Sequence, residues 1–337
     1  MLAAEAVVED PPYIRGARVG TIDVAGFVFL ALWLGTLQII LDRGEQEDWF
    51  AAEWIRWFAA VSVVSFAAFL VRQFRAAHPL VDLRVLRHRN FSAGLVLITM
   101  LGGVLYGTTA ALPIFLQTLM GYPALQSGLV LSPRGVGAFF TTLLVGRLVG
   151  KIAGRWLVFT GFALLSVSSF WLGRINLQIS EANAIMPVIL SGIAISFVFV
   201  PLTTTAMGGL RQDQMGNATG VYNLMRNLGG SFGIAMVTTF LARHAQMVQA
   251  SLVRHLTPYD PAYTERVAAL TAALAPSGGV SASQQATALV GQTVWQQAQL
   301  AAFVFNFRLF GVLCLCCLPA VFLFQRVRAM GSVPAGH

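Results

Sequence analysis

The feature that most constrains this chain is a run of 44 consecutive residues, 90–133, without a single Asp, Glu, Lys or Arg. A helix crosses about 30 Å of hydrocarbon with roughly 20 apolar residues, so the run is too long for one crossing. Within it the stretch LMGYPALQSG carries Gly121 and Pro123, which supply a turn and divide it into two spans, 92–118 and 125–150. The same reading of charge-poor runs gives six more spans, at 24–41, 54–71, 156–172, 184–208, 217–242 and 301–324. Eight helical spans make the fold class all-α and polytopic, with the lipid bilayer as its first partner.

Composition excludes the main alternatives. Hydrophobic side chains make up 56% of the chain and charged ones 11%, far below the roughly 25% of soluble domains. The 22 Lys+Arg against 14 Asp+Glu leave a net charge of +8, but these cations lie between apolar runs. A nucleic-acid binder gathers them on one solvated face, so nucleic acid is not an expected partner. The N-terminal MLAAEAVVEDPPYIRGAR holds Glu5, Glu9 and Asp10 and lacks a cationic stretch leading into an apolar core, so it does not read as a signal peptide.

An even number of spans puts both termini on one side. With Arg56 and Arg147, near the ends of their spans, counted with the adjoining loops, 13 Lys and Arg residues fall in the N-terminal segment, the loops after spans two, four and six, and the C-terminal tail, against 6 in the other loops. The positive-inside rule therefore predicts both termini cytoplasmic. The loop 243–300 is then extracytoplasmic. Pro258, Pro261 and Pro276 break it into pieces that suit short helices, and its last part, SQQATALVGQTVWQQAQLAAF, has no breaker before the eighth span.

The three remaining cations, Arg134, Arg226 and Arg308, lie within spans. A charge at membrane depth is costly and normally faces a protein interior or a wet cavity. Arg134 and Arg226 each sit nine residues into their span, about 14 Å deep at 1.5 Å per residue. They are candidates for a substrate cavity or a gate; the alternative is a structural role, pairing with helix-end carbonyls. Arg308 is shallower and is expected to snorkel to the interface.

The text GNATGVYNLMRNLGGSFGIA surrounds Arg226 with Asn217, Asn223 and Asn227 and with two small-xxx-small pairs, Gly216–Gly220 and Gly229–Gly233. Such spacing lets helix backbones approach closely. In VPLTTTAMGGL, Pro201 frees a helical carbonyl that neighbouring hydroxyls or a substrate can engage. No Asp or Glu lies inside a span, and His78, His88, His244, His255 and His337 are all in loops or the tail. Cys314, Cys316 and Cys317 share one apolar run. The sequence thus offers no membrane proton carrier, no catalytic residue and no metal site, and an intramembrane metalloenzyme or protease is not expected.

Several blocks taken together resemble a known family. PPYIRGARVGTIDVAG, LQIILDRGEQEDWF, HPLVDLRVLRHRNF, LPIFLQTLMGYPALQSGL, SPRGVG, VPLTTT and NLMRNLGGSFG, in order along nearly the whole chain, resemble the EmrB/QacA group. These are fourteen-span drug:proton antiporters of the major facilitator superfamily. The resemblance implies a C-terminal eight-span portion: a cytoplasmic segment 1–21, two linker spans in 22–90, a six-helix transporter bundle in 91–325 that includes the 243–300 loop, and a cytoplasmic tail 326–337. It implies efflux of drug-like or amphiphilic compounds across the inner membrane, not an enzyme and without a cofactor. The coupling carboxylates would lie in a missing N-terminal six-span half, and a periplasmic adaptor is a further partner. Spans three, four, six and seven would line the cavity. The candidate cavity or gating residues are Arg134, Arg226, Asn223, Gln117, Thr203 and Thr204, and the candidate packing residues are Gly229, Gly230, Gly233 and Pro201. Two alternatives are a non-transporting truncated fragment and an exporter of a native metabolite or lipid. One block departs from the family: in GRLVGKIAGRWL, residues 146–157, the usual Asp of the cytoplasmic loop motif falls at Gly150, so a charge latch to Lys151 or Arg155 is not expected.

Overall fold

The computed structural model describes residues 23–76, 80–254, 256–275 and 282–324. The segments 1–21 and 326–337, together with His78, His255 and His337, lie outside the described residues. Among those described, the architecture is helical throughout, the one β-type contact being an isolated bridge between Val149 and Ile152. The chain divides into two compact units, Met1–Leu83 and Arg84–His337.

The first unit is an antiparallel hairpin of α1 (Val24–Arg43) and α2 (Glu53–Arg75). Asp23 caps α1: its Oδ1 accepts the Gly26 N–H at 3.0 Å. The same oxygen accepts from Arg72 Nε at 3.0 Å, joining the start of one span to the end of the other. Aspartate at a helix N-terminus also meets the positive end of the helix dipole. At the other end the chain reverses through Asp48 and Trp49, at φ of 49° and 55°. Trp33 lies against Phe66 and Phe69, and most remaining apolar side chains, such as Trp57, Val63 and Val64, point outward. Outward-facing apolar surface on a hairpin this thin is what lipid solvates.

The second unit contains α3 (Arg89–Thr118), α4 (Ala124–Leu131), α5 (Pro133–Leu148), α6 (Gly154–Leu172), α7 (Glu181–Met207), α8 (Met215–Val253), α9 (Pro261–Leu274) and α10 (Ala282–Val321). Helices α4 and α5 together make one candidate span, Ala124–Leu148, kinked at Pro133. Proline has no N–H for the Leu129 carbonyl, and the Ser132 hydroxyl donates to that oxygen instead at 3.0 Å. Packing runs α5 on α7, α7 on α6 and α3, α3 on α8, and α10 against α3, α6 and α8. Phenylalanines fill the centre: Phe115 meets Phe303 edge-on with centroids 5.5 Å apart, and Phe307 and Phe310 are fully buried beside them.

Among the described residues, seven helices are long and apolar enough to cross a membrane, where the sequence suggested eight. The exception is α8, which is long enough but diluted by Asn217, Asn223, Arg226, Asn227 and its glycines. It packs along α3 and α10, both apolar enough to span, so much of its surface faces protein rather than lipid. Helix α8 runs past the expected end of its span at 242, and α10 runs unbroken from Ala282 through the eighth span, as the breaker-free stretch 283–303 suggested. At 39 and 40 residues they reach about 58–60 Å, twice the hydrocarbon thickness, because nothing in 243–253 or 282–300 interrupts the helix. The two helices touch near the ends of their spans through Phe305, which stacks on His244 at 4.5 Å and meets Phe240 at 5.8 Å. Helix α9, started by Asp260 and Pro261, lies against α10.

Candidate functional site

The crossing of α3 and α8 is built on glycines. A Cβ on Gly229 would run into the Thr99 backbone, one on Gly233 into the Gly103 backbone, and one on Gly102 into the Arg226 carbonyl. Gly230 receives the Tyr106 ring. Main chain therefore touches main chain over about two turns, a contact that any larger residue would wedge apart. The upstream pair behaves differently. Gly216 and Gly220, with the same spacing, have nothing among the described residues within 4 Å of where a Cβ would stand.

Arg134, in the first turn of α5, reaches two other spans. Its Nε donates to Ser191 Oγ on α7 at 3.0 Å, and its Nη1 donates to Thr109 Oγ1 on α3 at 2.6 Å. Nη2 is buried without a hydrogen-bond partner among the described residues. Ser191 is itself buried and donates its hydroxyl to Val188 O, leaving its oxygen lone pairs for Arg134. Directly below, the α5–α7 contact is close: a Cβ on Gly192 would meet the Arg134 carbonyl. Three spans thus hold one guanidinium, with one of its amino groups left over.

Arg226 lies further along the same seam. Its guanidinium carbon sits 5.6 Å from the centroid of the Phe199 ring on α7, and its Nε is buried without a partner among the described residues. One turn before it on α8, the Tyr222 hydroxyl is 3.2 Å from Thr203 Oγ1. Thr203 spends its single proton on the Phe199 carbonyl at 2.8 Å, so Tyr222 donates to Thr203. The two arginines are not level with each other. From Gly102 to Thr109 on α3, and from Phe199 to Ser191 on α7, the rise is about 10–12 Å. Arg226 is nearer the α7 C-terminal end and Arg134 nearer its N-terminal end.

The other candidates divide. Thr204 turns its hydroxyl back onto Val200 and Pro201 carbonyls in its own helix. Pro201 is buried beside Gly154, where α6 meets α7, and a Cβ on Gly154 would strike Thr205 Oγ1. Asn223 is half-buried on α8, one turn before Arg226. Gln117 is exposed near the C-terminal end of α3, about 12 Å of helix beyond Thr109, and is not brought to the arginines. Thr109, Ser191, Phe199 and Tyr222 were not singled out from sequence. Span hydroxyls usually bond back to their own helix, as Thr108 does to Val104, so sequence does not tell which one receives a distant arginine.

Two further positions are clarified by geometry. Arg308 on α10 does not simply reach for water: its Nε donates to the Gly173 carbonyl at 3.0 Å, capping the C-terminus of α6. That helix end still lies at the end of a span, where a cation is tolerated. Gly150 adopts φ +93°, in the left-handed region that glycine alone enters without a Cβ penalty. An aspartate there would be strained, so the missing motif carboxylate and the local backbone are consistent with each other. No group of His, Cys, Asp or Glu among the described residues is arranged to hold a metal ion.

The site combines cations, hydroxyls and close-packed glycines on helices α3, α5, α7 and α8. The family model of the Major Facilitator Superfamily matches residues 17–234. The chain is similar to the fatty acid resistance protein FarB of Neisseria gonorrhoeae, 31% identical over 276 residues, which is 82% of this chain and 53% of that protein. It is also similar to the multidrug export protein EmrB of Haemophilus influenzae, 32% identical over 242 residues (71% and 47%), and to EmrB of Escherichia coli K12, 30% identical over 253 residues (74% and 49%). The chain spans about half the length of the curated relatives it matches. A multi-pass helical protein whose residues 17–234 match this one family model, it belongs to the Major Facilitator Superfamily.

Proposed function

We propose that this chain is the C-terminal portion of a secondary-active efflux transporter that exports drug-like or amphiphilic compounds by alternating access. On this reading α1 and α2 are a linker pair, the helices from α3 onward form the second transport bundle, and both termini are cytoplasmic in an inner membrane. The observation that carries the proposal is the polar face of α3, α5, α7 and α8: Arg134 held by Thr109 and Ser191, and Arg226 beside Phe199 over a backbone-to-backbone seam. Charges at membrane depth set on closely packed helices suit a cavity wall that changes shape.

Proton antiport is proposed with its coupling carboxylates outside this chain. After Asp82 the only acidic residues are Glu181, Asp213, Asp260 and Glu265, each at or beyond the end of a span. The partner is accordingly an N-terminal six-span half, with a periplasmic adaptor beyond it. The test is efflux from cells in which the chain is co-expressed with such a half. Arg226→Ala is expected to abolish export while expression and insertion stay near normal; normal export by that variant removes Arg226 from the site, and a degraded protein assigns it to the fold.

Export of a native lipid or metabolite, rather than of drugs, is favoured by the printed name of the Neisseria relative.

A further inference from the structure

The second unit carries a cavity of about 610 Å³ where α6 stops at Leu172, the chain runs through 173–180, and α7 begins. One wall is apolar and comes from Val167, Phe170, Trp171 and Ile179. Val167 is 55% exposed and Trp171 46%, so this wall is open on the flank of a span, the surface that lipid covers. The other wall is polar and comes from Arg174, Asn176, Gln178 and Asn183. A groove that is apolar along a span and polar beyond its end lies at the boundary between hydrocarbon and headgroups, where tryptophan also settles. That placement holds whichever face of the membrane this end occupies.

The polar wall is built but uncommitted. Asn176 Oδ1 accepts the Gln178 N–H at 3.0 Å, which fixes the loop and turns the remaining Asn176 amide capacity to donation. Among the described residues the Arg174 guanidinium has neither an ion pair nor a hydrogen bond. Capping α6 does not occupy it, because Arg308 Nε already donates to the Gly173 carbonyl. From 83 to 180 the chain contains no Asp or Glu, and the next carboxylate, Glu181, follows Arg174 by seven residues at the start of α7. A guanidinium at the headgroup boundary, without a partner and flanked by amide donors, matches a phosphate, whose oxygens it takes with two parallel N–H bonds. One unpaired cation, with one acidic residue following in the chain, fits a singly charged phosphodiester better than a doubly charged phosphomonoester. The volume is within the range of about 300–1,000 Å³ usual for small-molecule sites, enough for a headgroup and the first part of its chains.

We propose that this groove holds one glycerophospholipid of the surrounding bilayer, with its phosphodiester on Arg174. The amides of Asn176, Gln178 and Asn183 meet the rest of the head, and an acyl chain runs down α6 over Val167 and Trp171. The lipid is a resident ligand that ties the end of α6 to the start of α7, and the inference is independent of the export reading.

The test reads lipid binding, so a chain that does not transport leaves it standing. The purified chain in a neutral detergent is titrated with dioleoylphosphatidylglycerol or dioleoylglycerol, and bound lipid is counted by native mass spectrometry. The two probes share their tails and differ in the phosphodiester head. Dioleoylphosphatidylglycerol is expected to bind at least about 10-fold more tightly, and Arg174→Gln to remove that preference while leaving dioleoylglycerol unchanged. Arg174→Lys keeps the charge but not the fork and should retain part of it, whereas Asn183→Asp, which adds a negative charge to the groove, should weaken it. Arg254→Gln, an exposed cation outside the groove, should leave it intact. Equal binding of the two lipids by the unsubstituted chain, which needs no variant to fold, overturns the proposal. So does an Arg174→Gln chain that elutes as a monodisperse peak and keeps the preference, or an Arg254→Gln chain that loses as much of it. Displacement of the lipid by an equal concentration of sn-glycerol 3-phosphate would assign the groove to a soluble phosphate and overturn its assignment to a lipid.

Discussion

Adding one methyl group to α8 at Gly233 should force α3 and α8 apart, whereas the same methyl at Gly220 should not. At Gly233 the new Cβ would stand 2.6 Å from Gly103 Cα and 2.7 Å from its carbonyl carbon, both main-chain atoms that cannot rotate away. The Gly103 carbonyl oxygen is closer still, and ordinary contact begins at 3.4 Å, so the helices must separate by more than about 0.8 Å or bend. At Gly220 nothing stands within 4 Å. Both substitutions gain the same helix propensity, roughly 1 kcal/mol, and this cancels in the comparison. What remains is overpacking, about 1–3 kcal/mol against Gly233→Ala. For a unit of this size that is roughly 2–12 °C in Tm. The assay is the fraction of detergent-solubilised chain remaining monodisperse after stepwise heating. Equal melting of Gly233→Ala and Gly220→Ala would refute the reasoning, since the backbone-to-backbone seam would then not limit stability.

Other consequences can be tested in the same way. With Cys314, Cys316 and Cys317 replaced by alanine, an impermeant thiol reagent added outside intact cells should label Tyr259→Cys, which is 94% exposed, and spare Leu80→Cys; the reverse pattern contradicts cytoplasmic termini. Arg308→Ala should lower stability by less than about 1 kcal/mol, because it removes one contact to a helix end at the edge of the membrane. Arg72→Ala leaves the Asp23 carboxylate, 3% exposed, with the Gly26 N–H as the one hydrogen-bond partner of that side chain among the described residues. It should loosen the α1–α2 hairpin by roughly 1–3 kcal/mol, seen as faster tryptic cleavage after Arg75, whereas Asp23→Asn, which keeps the cap acceptor, should be milder.

The spans were legible because a bilayer demands long charge-free runs, and 90–133 leaves no other solution. The helix ends were less so. Pro133 sits where a break was plausible, yet the structure keeps one kinked span because Ser132 satisfies the freed carbonyl. Helix α8 continues past 242 since sequence marks helix stops and is silent where none occurs, whereas the length of α10 was legible in the breaker-free stretch before the eighth span. At the site, Arg134 and Arg226 stood out by charge alone, and sequence depth put them level; only packing reveals that they are staggered along α3 and α7. The glycine pairs carried identical spacing, but Gly229 and Gly233 face α3 while Gly216 and Gly220 face open space. Spacing encodes the ability to pack closely, not the presence of a neighbour.

The central claim is that this chain supplies one half of a proton-coupled carrier. The most direct measurement is uncoupler-sensitive transport of a labelled amphiphile into everted membrane vesicles, comparing the chain alone with the chain co-expressed with an N-terminal six-span half. The account predicts no uptake by the chain alone, since the only carboxylates on its described membrane helices, Asp42, Glu53 and Glu181, stand at helix ends, and uptake that an uncoupler collapses when the half is present. Robust, uncoupler-sensitive uptake by the chain alone would contradict it.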